Sequence, residues 1–198
     1  MRKYLLFITA FCFGIFSSQS AKPSLGINVV DVIPTGNNYL KDGVKNFIGV
    51  GLTFQTIFRN NMGFGVELSR AFSEVKDISI YGDLDSPQLT NISAYFVYKY
   101  PLTEAFNLEG QIGLGLLALT SQSRYTQDKY TENASAFQLG SEISYKFPKA
   151  KKVEIYASPK IYFFDSLVGF QEKDLDRYYS RSLLLNINVG LRLNLNQK

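Results

Sequence analysis

The sequence contains no histidine and no tryptophan, and its only cysteine is Cys12. Histidine is the usual general base near neutral pH and a common metal ligand, so its absence removes the ordinary routes to base catalysis and metal binding. No spacing of Ser, Asp, Glu or Lys suggests a nucleophile paired with a base, and there is no Cys/His cluster. We therefore expect no catalytic residue, no metal site and no cofactor.

The first 20 residues have the pattern of a secretory signal peptide. Met1-Arg2-Lys3 is a short basic start, residues 4–16 are apolar, and Ser18 and Ser20 supply the small side chains of a cleavage site. We expect residues 1–20 to be removed and residues 21–198 to form one domain. Because Cys12 lies in the removed segment, that domain has no disulfide and must be stabilised in another way.

Long apolar runs and blocks of charge are also missing from residues 21–198. No segment approaches the run of about 18 apolar residues that a membrane helix needs. Without Arg2 and Lys3, the 21 basic residues become 19 against 17 acidic ones, a net charge of about +2. Since no Lys/Arg cluster stands out, the sequence does not indicate nucleic-acid binding.

Apolar and polar side chains alternate in eight segments of the chain. This period of two is typical of β-strands with chemically different faces, and we found no convincing helical periodicity. The predicted strands are 24–33, 46–58, 62–73, 89–99, 106–120, 135–147, 153–165 and 182–195.

The connections between these strands alternate in length. Those at 59–61, 100–105 and 148–152 are short, and those at 34–45, 74–88, 121–134 and 166–181 are long. Such alternation is typical of an up-and-down antiparallel barrel with all its long loops at one end. A Greek-key sandwich gives no reason for it. We therefore predict an all-β, eight-stranded antiparallel up-and-down barrel.

The polar face of the predicted strands is rich in glycine. Glycine gives room inside a closed barrel but weakens an exposed strand surface, so this face is expected to line the lumen. The aliphatic face then lies against lipid, and the barrel is transmembrane. Aromatic residues near the short turns would form an interfacial girdle. The glycines are Gly49, Gly51, Gly63, Gly65, Gly113, Gly115, Gly140 and Gly190, and the aromatic residues are Tyr98, Tyr100, Phe106, Tyr145 and Phe147.

The last predicted strand ends in the pattern polar–x–Gly–x–x–apolar–x–apolar, formed by Asn188, Gly190, Leu193 and Leu195. With the eight-stranded pattern over nearly all of residues 21–198, the chain resembles the small eight-stranded outer-membrane β-barrels of Gram-negative bacteria, such as the transmembrane domain of outer membrane protein A. The pattern is similar to the C-terminal assembly signal of that family. The signal usually closes on an aromatic residue, whereas here Leu195 takes that place and Asn196-Gln197-Lys198 follow.

The resemblance implies a location, a topology and partners. We expect a monomer in the bacterial outer membrane, with periplasmic termini and four extracellular loops. Its expected partners are outer-membrane lipid and lipopolysaccharide, the barrel-assembly machinery during biogenesis, and an unidentified surface ligand.

Eight charged residues lie on the predicted lumen face. Lys99, Glu109, Lys146, Glu154 and Arg192 are expected near the short turns, and Glu67, Glu142 and Lys160 nearer the middle. They either line a narrow polar pore or pair across the lumen and plug it. Because an eight-stranded interior is only wide enough for side chains to fill, buried charges there must be paired, which favours the plug.

The long connections contain several tyrosines. Tyrosine offers a large contact area at low entropy cost, as binding loops often use, but it is also common at membrane interfaces. The candidate interaction residues are Tyr39, Tyr81, Tyr125, Tyr130, Tyr178 and Tyr179. Two Asp-Leu-Asp triplets, 83–85 and 174–176, are candidates for binding Ca²⁺ or for bridging to lipopolysaccharide through divalent ions, although acidic loop residues are more commonly just solvated. Arg70 is a candidate for contact with lipid phosphate.

Three functions remain open from the sequence. The first is a structural or surface-interaction role through the loops, with a plugged lumen. The second is a narrow pore or conduit for small or hydrophobic solutes. The third is a soluble exported barrel that carries an apolar ligand.

Overall fold

The computed structural model describes residues 21–150, 152–166 and 171–195. The predicted signal peptide, residues 1–20, and residues 196–198 after the C-terminal motif lie outside the described residues. The described residues form a β-barrel with three short helices in its connections.

Eight antiparallel strands close into one barrel, and each strand pairs with its neighbours along the chain. The first and last strands also pair, with Leu25 opposite Leu193, and this pairing closes the sheet. The predicted all-β, eight-stranded antiparallel up-and-down architecture is confirmed. The strands are β1 Lys22–Thr35, β2 Phe47–Ile57, β3 Met62–Phe72, β4 Leu84–Pro101, β5 Phe106–Ser123, β6 Lys129–Lys146, β7 Val153–Ser166 and β8 Arg181–Asn194.

The strand boundaries agree with the prediction except at the long-loop ends of β4 and β6. β4 begins at Leu84 and β6 at Lys129, each at least five residues before its predicted start. Polar residues hide the alternation there, yet the ladder of β5 and β6 continues to Gln122 opposite Lys129. The third long connection, predicted at 121–134, is therefore mostly a two-stranded hairpin with a turn at 124–128.

The two faces of the strands differ as the sequence predicts. Outward-pointing Ile27 and Leu114 are 59% and 69% exposed, whereas inward-pointing Asn28 and Gln55 are buried. Aliphatic and aromatic side chains of this kind cover the outer wall along every strand. A continuous apolar surface of this extent is unstable in water and matches the hydrocarbon of a bilayer.

Close packing inside the barrel explains two of the glycines on the inner face. A Cβ on Gly65 would overlap the ring of Tyr95, and a Cβ on Gly113 would overlap the backbone of Ala94. The Tyr95 ring uses the space above Gly65 to reach across the lumen. Glycine is therefore needed at these positions so that large side chains can fill the interior.

Three short helices lie in the long connections: α1 Tyr39–Gly43, α2 Ile78–Tyr81 and α3 Lys173–Ser180. The sequence shows no helical periodicity at these positions, because helices of one or two turns are too short to show a period. Local capping helps the first two to form, since Asn38 accepts a hydrogen bond from the Lys41 amide and Asp77 accepts one from the Ser79 amide. In the described part of the chain, no helix is long and apolar enough to cross a membrane.

Candidate functional site

Charged side chains fill the lumen near the short turns. Arg192 contacts the Glu142 carboxylate with N–O distances of 2.6 and 2.8 Å, and its Nη1 lies 3.5 Å from Glu109 Oε1. Lys99 Nζ reaches the same Glu109 oxygen at 2.9 Å. Arg192, Glu109 and Glu142 are almost fully buried. Since a buried charge is stable only when it is paired, these contacts tie β8 to β5 and β6 across the lumen.

Glu154 joins this group at the short-turn rim. Its carboxylate lies 3.6 Å from Lys99 Nζ and 3.9 Å from Lys146 Nζ, and it accepts a hydrogen bond from Asn194 Nδ2 at 3.0 Å. Lys146 and Glu154 are ladder partners, so they lie side by side across the short turn between β6 and β7. The buried Glu154 is thus held by two partly exposed lysines.

A second ion pair lies elsewhere in the lumen. Lys160 Nζ donates to Glu67 Oε2, and Asn188 Nδ2 donates to Glu67 Oε1 at 3.2 Å. The Lys160 ammonium also lies 5.0 Å from the centre of the Tyr95 ring, a cation–π distance. All eight predicted lumen charges therefore point into the barrel or its rim, but Glu142 belongs to the Arg192 group and not with Glu67 and Lys160.

A cavity of about 590 Å³ opens at the short-turn end of the barrel. Its lining includes the exposed Arg59 and the buried Arg192 and Glu154, so the cavity reaches the charged pairs.

The lumen nearer the long loops is apolar, which differs from the polar lining that we predicted for its whole length. Loop residues such as Leu40 and Val44 pack there against strand residues that point inward. Runs such as Leu183-Leu184-Leu185, in which both faces are apolar, were the available signal in the sequence. The buried cluster contains Val30, Val32, Tyr39, Leu40, Val44, Phe47, Ala71, Tyr81, Leu89, Leu117, Leu119, Ala134, Ala136, Tyr162, Phe164 and Leu184.

Four of the six candidate loop tyrosines form one cluster over the mouth of the barrel. The Tyr39 ring lies 6.3 Å from Tyr81 and 5.5 Å from Tyr179, and Tyr179 lies 5.0 Å from Tyr178. Tyr178 also donates to Asp42 Oδ2 at 2.9 Å. Tyr39 and Tyr81 are only 7% exposed, so they close the barrel and do not offer the binding surface that we predicted.

Hydrogen bonds to strand residues hold the two buried phenols. Tyr39 Oη donates to Glu132 Oε2 at 2.6 Å, and the Tyr81 hydroxyl lies 2.7 Å from Ser121 Oγ. Burial, and then the negative charge of Glu132, raises the pKa of Tyr39 well above its ordinary value. Burial also raises the pKa of Tyr81 to about 12. Both phenols therefore remain neutral over the physiological pH range.

The other two candidate tyrosines lie on the hairpin formed by β5 and β6. Tyr125, in the turn, is 78% exposed, and Tyr130, near the start of β6, is 55% exposed. The turn is ordered by a hydrogen bond from the Ser123 amide to the Asp128 carbonyl at 2.8 Å. These two aromatic side chains are thus displayed at the surface on a strand-paired support.

The remaining candidates lie in or beside the long connections and on the outer wall. In the three stretches that the structure describes, no group of three or more His, Cys, Asp or Glu residues could hold an ion. Asp85 lies 3.8 Å from Arg124 Nη2, and Asp174 and Asp176 lie in the first turn of α3. Arg70 is exposed on the outer wall and donates to Gln88 Oε1 at 2.6 Å.

The residues of the C-terminal pattern point in two directions. Asn188 faces the lumen, and a Cβ on Gly190 would overlap the backbone of Ile27 in β1. Leu193 and Leu195 are about half exposed on the outer wall.

The chain is similar to known outer-membrane proteins in sequence pattern and in fold. Residues 5–192 match the family described as outer membrane protein beta-barrel domain. No curated protein is similar enough in sequence to count as a match.

Three solved structures illustrate the similarity of fold. A major outer membrane protein from Thermus thermophilus is 11% identical with a TM-score of 0.64, over 89% of this chain and all of that one. Neisserial surface protein A is 11% identical with a TM-score of 0.58, over 88% and 97% of the two chains. OprG from Pseudomonas aeruginosa is 11% identical with a TM-score of 0.53, over 90% and 98%. At such identities the similarity establishes the fold alone.

The family match covers most of the chain, and it agrees with the closed eight-stranded barrel and its apolar outer wall. The wall therefore faces lipid in the bacterial outer membrane, and the alternative of a soluble exported carrier is wrong. The chain belongs to the outer membrane protein β-barrel domain family.

Proposed function

We propose that this chain is a closed outer-membrane barrel with a structural or surface-interaction role, performed through its extracellular loops. The supporting observation is that the lumen is filled at two levels. Ion pairs around Arg192 occupy the short-turn end, and the apolar cluster with Tyr39 and Leu40 occupies the long-loop end. Because an eight-stranded interior leaves room only for side chains, a solute would have to displace both layers.

The β5–β6 hairpin is the proposed contact surface for an unidentified ligand. Its ladder extends to Gln122 opposite Lys129, and Gln122 Nε2 donates to Gln127 Oε1 at 2.8 Å in the turn. Tyr125 and Tyr130 are the exposed aromatic side chains on this support. An ordered hairpin loses little entropy on binding, which favours recognition by such side chains.

The proposed role requires no catalytic activity, and we propose that the barrel is a monomer. Glu67, Glu109 and Glu142 each contact a basic side chain, so none of them supports the role of a free general base. Every strand is paired on both edges, so the barrel needs no second copy to complete its sheet.

We propose that the barrel-assembly machinery recognises the pattern formed by Asn188, Gly190, Leu193 and Leu195.

Conductance in planar lipid bilayers tests the closed lumen. We expect no steady single-channel openings from the wild-type barrel, whose folding is checked by its heat-modifiable migration on a detergent gel. The variant Tyr39→Ala/Leu40→Ala should also stay silent, because the charged layer remains. Adding Arg192→Ser to that variant should produce openings. Steady openings of the wild-type barrel would overturn the proposal.

A second candidate function is a conduit for small apolar solutes. The observation that favours it is the apolar lining of the lumen near the loops, including Val30, Leu117 and Leu184. For transport, Tyr39 and Leu40 would have to leave the mouth of the barrel. Vesicles that contain a conduit should take up a small apolar dye faster than protein-free vesicles, whereas a closed barrel should leave the rate unchanged.

A further inference from the structure

A groove of about 890 Å³ lies on the outside of the barrel at its long-loop end. It is formed where β2 begins and β3 ends, together with the loop residues beside them. Its basic side chains are Lys41, Lys45 and Lys76, and its apolar ones include Ile48 and Phe72. In a barrel whose long loops are extracellular, this end of the apolar wall is where the hydrocarbon of the outer leaflet meets the headgroups.

Backbone contacts between two loops hold this groove in shape. The Lys45 amide donates to the Glu74 carbonyl at 2.9 Å, and the Lys76 amide donates to the Gly43 carbonyl at 2.7 Å. Val44 and Val75 form an isolated antiparallel bridge between these contacts. Ser73 Oγ adds a hydrogen bond to the Lys45 carbonyl at 2.8 Å. The three lysines are therefore carried by a preordered backbone.

The groove has a surplus of positive charge. Glu74 lies 2.7 Å from Lys45 Nζ and is the acidic residue in the lining. Within the described residues, no carboxylate lies within ion-pair distance of Lys41 or Lys76. Lys76 Nζ lies 3.5 Å from the Lys41 carbonyl, which brings two of the lysine residues together.

The two aspartates nearest in sequence form hydrogen bonds with other residues, and Asp77 also interacts electrostatically with Lys76. Asp42 accepts a hydrogen bond from Tyr178, and Asp77 accepts from the Ser79 amide and hydroxyl at the start of α2. Neither lines the groove. The net charge of the lining is therefore about +2, from three lysines and one glutamate.

The lower side of the groove is hydrophobic and faces lipid. Ile48 is 62% exposed and Phe72 is 50% exposed, and both continue the apolar outer wall. A ligand that fits must therefore combine an anionic group with a hydrocarbon chain.

We propose that this groove binds a phosphorylated lipid of the outer leaflet, with its phosphate against Lys41, Lys45 and Lys76 and an acyl chain along Ile48 and Phe72. Lysine binds phosphate through charge, and the three lysines line the same groove as the apolar side chains that an acyl chain would cover. The inference goes beyond the proposed loop function, because it concerns the membrane-facing side of the barrel and does not depend on a closed lumen.

Lipid binding by the purified barrel in detergent micelles tests the proposal. Diphosphoryl lipid A is titrated and the bound fraction is measured by native mass spectrometry. We expect Lys41→Gln/Lys45→Gln/Lys76→Gln to raise the Kd at least about tenfold. The matched control is Lys22→Gln/Lys149→Gln/Lys152→Gln, which removes the same charge from exposed lysines at the short-turn end and should bind like the wild type.

A second variant gives a change in the opposite direction. Glu74→Gln frees Lys45 from its ion pair, so it should lower the Kd for diphosphoryl lipid A. This result remains informative even if the triple variant folds poorly.

Three outcomes would overturn the proposal. One is equal affinity of the folded triple variant and its control. Another is equal wild-type affinity for lipid A without phosphate, which would show that acyl chains alone account for binding. The third is competition by inorganic phosphate at concentrations comparable to those of lipid A, which would indicate a site for the free anion.

Discussion

Arg192 contacts both carboxylate oxygens of Glu142, with Nη1 2.6 Å from Oε1 and Nη2 2.8 Å from Oε2. The two residues lie on strands that are not adjacent, so the contact crosses the lumen. Arg192 also stacks 4.6 Å from the centre of the Tyr156 ring and reaches Glu109. One guanidinium thus holds two buried carboxylates and an aromatic ring together.

Removing this guanidinium should destabilise the barrel strongly. Arg192→Leu leaves Glu142 buried without its cation, a loss that typically costs about 3–5 kcal/mol. Replacing both partners, Arg192→Leu/Glu142→Leu, should recover part of that loss because the uncompensated charge is gone. Urea unfolding of the barrel in lipid vesicles measures the free energies. A double variant less stable than Arg192→Leu would contradict this role of the pair.

A charge swap at the short-turn rim tests a second contact. Lys146→Glu/Glu154→Lys should be more stable than Glu154→Lys alone, because Lys146 and Glu154 are ladder partners. It should not reach wild-type stability, since the new lysine would lie near Lys99. With Lys146 partly exposed, the coupling free energy should be about 0.5–1 kcal/mol. A double-mutant cycle from urea unfolding would give a coupling near zero if the two side chains do not interact.

A charge on the outer wall tests the lipid face. Leu191 is half exposed, and its ladder neighbours Ile27 and Ile155 are also exposed. Leu191→Arg should lower the free energy of unfolding by up to about 2–4 kcal/mol, because the new charge would lie deeper in the hydrocarbon than a charge past the strand end. The control Leu195→Arg, just past the end of β8, should cost about 0–1 kcal/mol. Equal effects of the two substitutions in vesicles would show that depth in the membrane does not matter here.

Alkaline pH should loosen the tyrosine cluster over the mouth of the barrel. A tyrosine whose pKa is raised by folding stabilises the fold below its unfolded pKa of about 10, and this contribution is lost as the pH rises toward the folded value. For Tyr81 that value is about 12, and the pKa of Tyr39 is also raised. Stability should therefore fall from about pH 10 upward.

The ultraviolet absorbance of tyrosinate during a pH titration measures this effect. In Tyr39→Phe/Tyr81→Phe, the absorbance increase at the highest pH values should be smaller by the contribution of two tyrosines. If the absorbance increase at the highest pH values is unchanged, these two phenols ionise at the same pH as exposed tyrosines.

Strand number, topology and the outward face could be predicted from the sequence, because each depends on a local period of two. Ile27 and Asn28 show this directly, since their chemical difference alone determines which one points outward. The pairing of Lys146 with Glu154 was equally accessible, because a short turn places them side by side.

The contents of the lumen near the loops could not be predicted in the same way. Tyr39 and Tyr81 are buried because their loops fold back over the barrel, which depends on contacts between residues distant in the chain. The extension of β6 to Lys129 depends on the partner strand β5, because its own residues no longer alternate in hydrophobicity. Short-range patterns do not contain this information.

The pairing of β1 with β8 has a consequence for how the protein is made. Leu25 is synthesised long before its ladder partner Leu193, because almost the whole barrel lies between them in the chain. A chain that stops before β8 would present two unpaired edges to hydrocarbon, at a cost of several kcal/mol for each open group. A stable barrel in the membrane therefore requires the chain through β8.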